Sequence, residues 1–398
     1  MPETFAPTPA AAQARIAAVR PAAYARTRNA LDGAVTGLSP YITHGLITLT
    51  DVLAGVAARH TLDVQHKFVF ELGWRAYFRH VWQHRGDGIL RSLHQGPLPD
   101  LAYAGELPAD IRQGRSGVPV VDQAVRTLYA TGMLHNHARM WLASYVVHVR
   151  GVHWRAGADW MVGHLLDGDL ASNHLSWQWV AGTGSRKPYL FNADNVARYA
   201  PPAWHSPGSV IATTYEALDR LARQPGRGFD APPDNPSSVE PPLCKEPPAE
   251  LGLTSPEAVA VAGRDVWLVH PWSLGPIPAA LPADTVVIGI FLADFHQDWP
   301  WSERRWRFVG GRMAALAARR WYGDAAAIGT ALAGARSVRS LAEPHLASWL
   351  PRLATCEAAP ALFPLVDRRC DSFSQWWART TRGLRSAADL LAVNEVPA

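Results

Sequence analysis

Across residues 46–160 the apolar positions recur three and four apart, as in Val69, Leu72, Tyr77 and Val81, or Val121, Val125 and Leu128, with few alternating β-branched runs. This spacing predicts a mostly helical first half. Turn-forming clusters punctuate it at residues 84–87, 95–100 and 113–119, the last just ahead of an amphipathic stretch that begins near Val120. Between Gln224 and Glu250 the chain turns Pro-rich, with too few apolar side chains to repay the entropy of ordering a core, which predicts an extended linker. The pattern then changes. Residues 266–269 and 285–292 are short β-rich runs, residues 302–318 have helical spacing, and shorter strand candidates follow at 337–341 and 361–365. Strand alternating with helix predicts an α/β layer on a parallel sheet. The expected organisation is a mainly α-helical domain over 1–223, a Pro-rich linker over 224–264, and a small Rossmann-like α/β domain over 265–398.

A chain of 398 residues that is 48% hydrophobic and 18% charged has room for two or three domains with cores, so a disordered or fibrous protein is excluded. A net charge of +4 is far from polybasic, but the basic surplus lies in the first half, where a local basic face could form. Three cysteines without CxxC spacing suggest neither a disulfide framework nor a zinc site, and a reducing cytoplasm is the expected compartment. No signal-like start and no apolar run of about 20 residues is present, so no membrane association is expected. Seventeen tryptophans are many for this length; indoles serve packing, base stacking or electron transfer. There is no Walker sequence and no GxGxxG.

Four segments carry candidate chemistry. Thr36-Gly37-Leu38-Ser39 precedes a helical stretch expected from about Ile42, so hydroxyls and free N–H groups could hold a phosphate there or simply cap the helix. Glu71, Trp74 and Arg75 share one helix face, which suits a polar aromatic ligand or a surface ion pair beside a core indole. Asn136, Arg139 and Met140 share another, and His135 and His137, two apart, diverge on a helix and are hydrogen-bonding groups rather than metal ligands. Asp167, Asp169 and Asn173 crowd near apolar residues, without the regular acid spacing of a calcium loop. No metal is expected.

In order and spacing these pieces resemble the FAD-binding helical domain of the DNA photolyase/cryptochrome family, through TGLSPYITHG, ELGWRAYF, GVPVVDQAVRTLYATGMLHNHARM, LLDGDLASN and WQWVAGTG over about residues 20–200. Residues 265–385 resemble more loosely the family's α/β antenna domain, which would ordinarily come first, so the resemblance implies a circular permutation, plausible where domain ends lie on the surface. It further implies bent FAD held by Tyr24, Thr36, Gly37, Leu38, Ser39, Phe68, Arg75, Asn136, Arg139, Asp167, Asp169 and Asn173. Arg139 would pair with Asp167 beside the flavin ring, and Asn173 would face flavin N5, an amide suited to a reduced flavin and hence to repair.

The implied reaction is light-dependent reversal of cyclobutane pyrimidine dimers flipped out of UV-damaged DNA, making the chain a deoxyribodipyrimidine photolyase. Glu71, Asn136 and Met140 match lesion-contacting positions, with Trp74 and Trp179 as aromatic walls. His137 stands where an Arg is usual, which implies a weaker phosphate contact. Trp177 and Trp154 match the proximal and middle members of a photoreducing tryptophan chain, while Leu101 falls where the outer member is expected and Tyr103 is the nearest oxidisable substitute. Trp82 and Trp160 are expected in the core. No residue identifies an antenna chromophore, and no obligate protein partner is evident. The competing readings are a cryptochrome-like photoreceptor without repair activity and a flavin-free nucleic-acid-binding protein.

Overall fold

A computed structural model describes residues 5–226 and 238–393. Part of the expected linker, 227–237, lies outside the described residues. The helical half contains α1 (Ser39–Thr43), α2 (Lys67–Arg85), α3 (Pro119–Thr131), α4 (Asn136–Ser144), α5 (Trp154–His164) and α6 (Leu170–Ala181), among shorter helices. Their ends follow local chemistry. His66, His135 and His153 cap α2, α4 and α5, each imidazole Nδ1 accepting from the backbone N–H two residues on, at 3.1–3.2 Å. Asp169 caps α6 through Ser172 N–H at 2.8 Å, and α3 and α6 stop at Gly132 and Gly182, whose φ of +70° and +78° favours glycine.

An accepting imidazole must be neutral. Burial lowers His135 to about 4, and burial likewise lowers His80, which accepts from Cys370 N–H at 3.1 Å, to about 4. An unfolded histidine takes its proton near 6.5, so between about pH 6.5 and 4 the unfolded chain binds more protons and stability falls with acidification. Melting temperatures measured from pH 7 down to 4 should decline steadily over that window; a flat profile would contradict the capping role.

The second half is a five-stranded parallel sheet of β1 (Asp265–Val269), β2 (Val286–Leu292), β3 (Arg319–Gly323), β4 (Ser337–Leu341) and β5 (Thr355–Glu357). The order is β3-β2-β1-β4-β5, all neighbours parallel. This is the doubly wound arrangement expected. The run at 361–365 is not a strand, and β3, with the sequence RRWYG, was not legible: its flanking arginines hide the one fully buried position, Trp321. The expected helix at 302–318 forms as α7 (Glu303–Ala314), capped by Ser302. Residues 238–264 run along both halves: Glu240 bonds to Arg112 and Trp160, Leu243–Cys244 pairs antiparallel with Trp301–Ser302, and Thr254 bonds to the β3 backbone.

The buried side chains form two cores that cut across the helical half. One joins residues 107–218. The other joins the first ninety residues and α6 to the sheet, with Trp82 in it and Trp160 in the first, both buried as expected. At the switch between β1 and β4, where such sheets leave a crevice outside the strand ends, Trp272 stacks on His345 at 4.3 Å and 10°. Beside that stack, Arg79 from α2 donates to Asp169 at 2.7 Å and to Glu343 at 2.6 Å. Arg305 from α7, almost wholly buried, donates to the carbonyls of Val162 and Gly168 and lies 4.0 Å from the Trp301 ring centre. The sheet therefore grips the loop between α5 and α6 from behind.

Candidate functional site

That loop, with α2, α4 and α6, encloses a cavity of about 190 Å³ lined by Glu71, Trp74, Arg75, Asn136, Arg139, Met140, Asp167, Asn173 and Trp177, among others. Four sequence segments meet there. Helical spacing explains why: Glu71, Trp74 and Arg75 form one stripe of α2, Asn136, Arg139 and Met140 one stripe of α4, and Asn173 and Trp177 one stripe of α6. Gly157 lets α5 approach, since a Cβ there would stand 2.3 Å from the Trp177 ring.

Arg139 donates to both oxygens of Asp167 at 2.9 Å and to the Leu134 carbonyl at 2.7 Å. Burial by itself would raise the Asp167 carboxyl, but Arg139 and a hydrogen bond from Ser39 outweigh it and hold the group below its ordinary range. Arg75 is different. Its guanidinium donates to the Thr43 hydroxyl, burial lowers its pKa, and among the described residues no carboxylate stands within salt-bridge distance of it. Asn173 commits Nδ2 to the Ala158 carbonyl at 2.8 Å, leaving Oδ1 as its acceptor. Glu71 accepts from Arg28 at 3.3 Å, and Asn136 is exposed at the mouth, with Nδ2 at 3.6 Å from Met140 Sδ.

The cavity is smaller than the ~300–1,000 Å³ of whole-ligand pockets, so it suits a flat ring system rather than an entire dinucleotide. A desolvated guanidinium that no carboxylate among the described residues contacts directly, an amide acceptor and the indoles of Trp74 and Trp177 fit a flat aromatic group that carries negative charge. The residues present thus fit the ring of a flavin.

Several expected residues lie elsewhere. Asp169 is spent on capping α6 and on Arg79, away from the cavity lining. His137 is not a DNA contact: it is buried, its ring nitrogens lie 2.7 Å from the Asn29 carbonyl and 3.1 Å from the Tyr189 hydroxyl, and it stacks on Trp141. Trp179 is 40% exposed and packs near Tyr189 rather than on the cavity. Trp154 is buried behind it, donating to Ser92 at 2.9 Å. The phosphate-loop helix α1 is a single turn starting at Ser39, not a long helix from Ile42; Gly45, at φ +67°, turns the chain before the next helix. Thr36 accepts from Leu38 N–H, Gly37 takes φ +60°, Leu38 is buried and Ser39 reaches Asp167. Tyr24 and Phe68 meet edge to face at 5.7 Å, off the lining.

Three features escaped the sequence reading. Arg79 continues the α2 stripe one turn past Arg75, a spacing that could have flagged it. Arg28 on Glu71 had no such signal. Nor did Phe373, which stacks on Trp74 at 4.1 Å and 12° from a helix three hundred residues away.

Residues 68–203 match the family model described as the FAD binding domain of DNA photolyase. A deoxyribodipyrimidine photo-lyase from Synechococcus sp. is 32% identical over 233 residues, covering 50% of this chain and 45% of the relative. A cryptochrome DASH from Gloeobacter violaceus is 31% identical over 170 residues, covering 41% and 34%. The solved cryptochrome of Synechocystis sp. aligns over 48% of this chain and 43% of its own, at 29% identity and a TM-score of 0.43. The chain thus spans less than half the length of these relatives. Among the described residues no helix is long and apolar enough to cross a membrane. The matched segment supplies the cavity lining, so it is through residues 68–203 that this chain is similar to the FAD-binding helical domain of the DNA photolyase/cryptochrome family.

Proposed function

We propose that this protein is a light-driven DNA-repair lyase that reverses cyclobutane pyrimidine dimers. The observation that carries the reading is the convergence of Arg75, Asn173 and Trp177 with Glu71, Asn136 and Met140 around one cavity. Bound flavin would supply the photochemistry, lending an electron to the lesion when excited in its reduced state. The protein's share is positioning and charge. Arg75 and the Arg139–Asp167 pair favour negative charge on the ring, and the Asn173 amide offers a hydrogen bond without an acidic proton. At the mouth, Glu71 and Asn136 provide an acceptor and an amide for base edges, and Met140 an adaptable apolar contact.

Trp74, braced by Phe373, is a rigid stacking wall. Stacking contributes about 1–3 kcal/mol per base, enough to offset the few kcal/mol of unstacking a damaged pair. The helical part preceding a doubly wound sheet supports reading the chain as a permuted form of the family's two-domain plan. Relatives named cryptochrome DASH favour a second reading, a photoreceptor without repair.

The test is repair of a UV-irradiated oligonucleotide by purified, reduced protein under blue light. Glu71→Ala should lower repair by at least about tenfold, roughly 1.4 kcal/mol of lost lesion contact, with flavin content unchanged. Bound flavin without repair in the wild type would select the photoreceptor, and a flavin-free protein would remove both readings.

A further inference from the structure

Where the resemblance expects an outer tryptophan, Leu101 is fully exposed and redox-inert. An electron hole that reached Trp154 would need another way out. Trp154, 2% exposed, has two aromatic neighbours of interest, His153 at 5.6 Å and His174 at 6.2 Å. Beyond His153 stands Tyr103 at 6.2 Å. Beyond His174 stands Trp299 at 5.4 Å, edge to face at 86°. Trp299 belongs to the sheet half of the chain, between β2 and α7, and is half-buried.

The two routes differ in rigidity and in chemistry. His174 is wholly buried, with ring nitrogens 2.9 Å from the Leu170 carbonyl and 2.8 Å from the Asp159 carboxylate, so it fixes the spacing of the two indoles. His153 is partly exposed and its other partner is the exposed Asp100 at 3.5 Å. A hole passing from indole to indole changes little in energy, whereas a phenol must shed its proton as it is oxidised. Trp299 is half-buried, so its indole N–H proton has a route to solvent once the ring is oxidised, and the Arg155 guanidinium 5.5 Å from its ring centre is itself paired with Asp159.

We propose that Trp299 is the terminal electron donor of the photoreducing chain, supplied across the domain interface in place of the missing outer tryptophan. The proposal rests on the flavin-photoreduction reading of Trp177 and Trp154. Bound flavin, excited by light in its oxidised state, would take one electron from Trp177, which Trp154 would refill, and Trp299 would in turn refill Trp154. The Trp299 radical cation releases its N–H proton to water. An external thiol then returns one electron and one proton, and two thiyl radicals couple to a disulfide. Trp299 touches neither flavin nor lesion and acts through Trp154.

The experiment is flash photolysis of the flavin-loaded full-length protein with dithiothreitol as the thiol, recording the transient spectrum of the radical and its decay. In the wild type a long-lived neutral tryptophan radical is expected, its decay faster with added thiol. Trp299→Phe should abolish that long-lived signal, leaving only rapid recombination, with flavin content and repair by chemically reduced protein unchanged. Tyr103→Phe should leave the signal intact. A long-lived tyrosyl spectrum that Tyr103→Phe removes would overturn the proposal, as would a tryptophan radical that survives Trp299→Phe. If Trp177→Phe abolishes every radical while Trp299→Phe changes none, the role of Trp299 fails and the chain through Trp177 stands; if Trp177→Phe also changes nothing, both fail.

Discussion

Replacing Arg79 by leucine should cost about 3–5 kcal/mol of folding stability, because removing one partner of a buried ionic group strands the other charges. Two carboxylates would be stranded at once: the side chains of Asp169 and Glu343 are 1% and 8% exposed. Burial alone would raise both. Arg79 and His345 outweigh it, holding Glu343 at about 2 and Asp169 below its usual range. A carboxyl depressed in the folded state stabilises the fold above its unfolded pKa, and that stabilisation is lost as pH falls through the folded value. The unfolded chain is common to both, so the gap should shrink as pH falls through the burial-raised values the two carboxyls take in the variant, and close towards the depressed values they hold in the wild type. Urea unfolding at several pH values measures it as a midpoint shift at unchanged slope. A shift under about 1 kcal/mol at pH 7 would mean that water solvates the two acids and that the ion triad does not hold the sheet to the loop between α5 and α6.

The helical stripes of α2, α4 and α6 were legible because a site built on regular helices inherits their 3.6-residue spacing: Glu71, Trp74 and Arg75, or Asn136, Arg139 and Met140, point one way whatever packs around them. The two central strands, β1 and β2, were legible for a related reason, in that buried strands read as apolar runs, whereas β3 and β5 carry charged residues and gave no such run. What escaped depends on contacts distant in sequence. The resemblance sets His137 at a phosphate contact because the family usually carries an Arg at its position, but on a helix the residue next to Asn136 points about 100° away, here into Trp141 and Tyr189. Asp169 was read with Asp167 because they are two apart; capping an α-helix turned one inward to the cavity pair and the other back to Arg79. The sheet's role behind the site, through Arg305 and Glu343, had no local signature, since a buried arginine and a surface one look identical until the tertiary fold places Val162 and Gly168 beside it.

Asp167→Ala should yield a folded but nearly colourless protein. The carboxylate joins three elements: Arg139 of α4, Ser39 at the start of α1, and the loop between α5 and α6, whose backbone carbonyl at Asp167 also accepts from Thr43 at 3.3 Å. Thr43 in turn receives the Arg75 guanidinium. Removing the carboxylate leaves Arg139 without its partner and Ser39 without its acceptor, so α4, α1 and the loop lose the contact that sets their register around the cavity. Charge-assisted hydrogen bonds contribute about 1.5–3 kcal/mol each, so flavin affinity should fall at least about a hundredfold, near 3 kcal/mol. Asp167→Asn keeps an oxygen for Ser39 and Arg139 and should lose less. Flavin released per polypeptide on heat denaturation, read beside the far-ultraviolet circular dichroism, separates loss of cofactor from loss of fold. An alanine variant that retains wild-type flavin content would show that the ring sits elsewhere, and the cavity formed by α2, α4 and α6 would then have to be a site for something else.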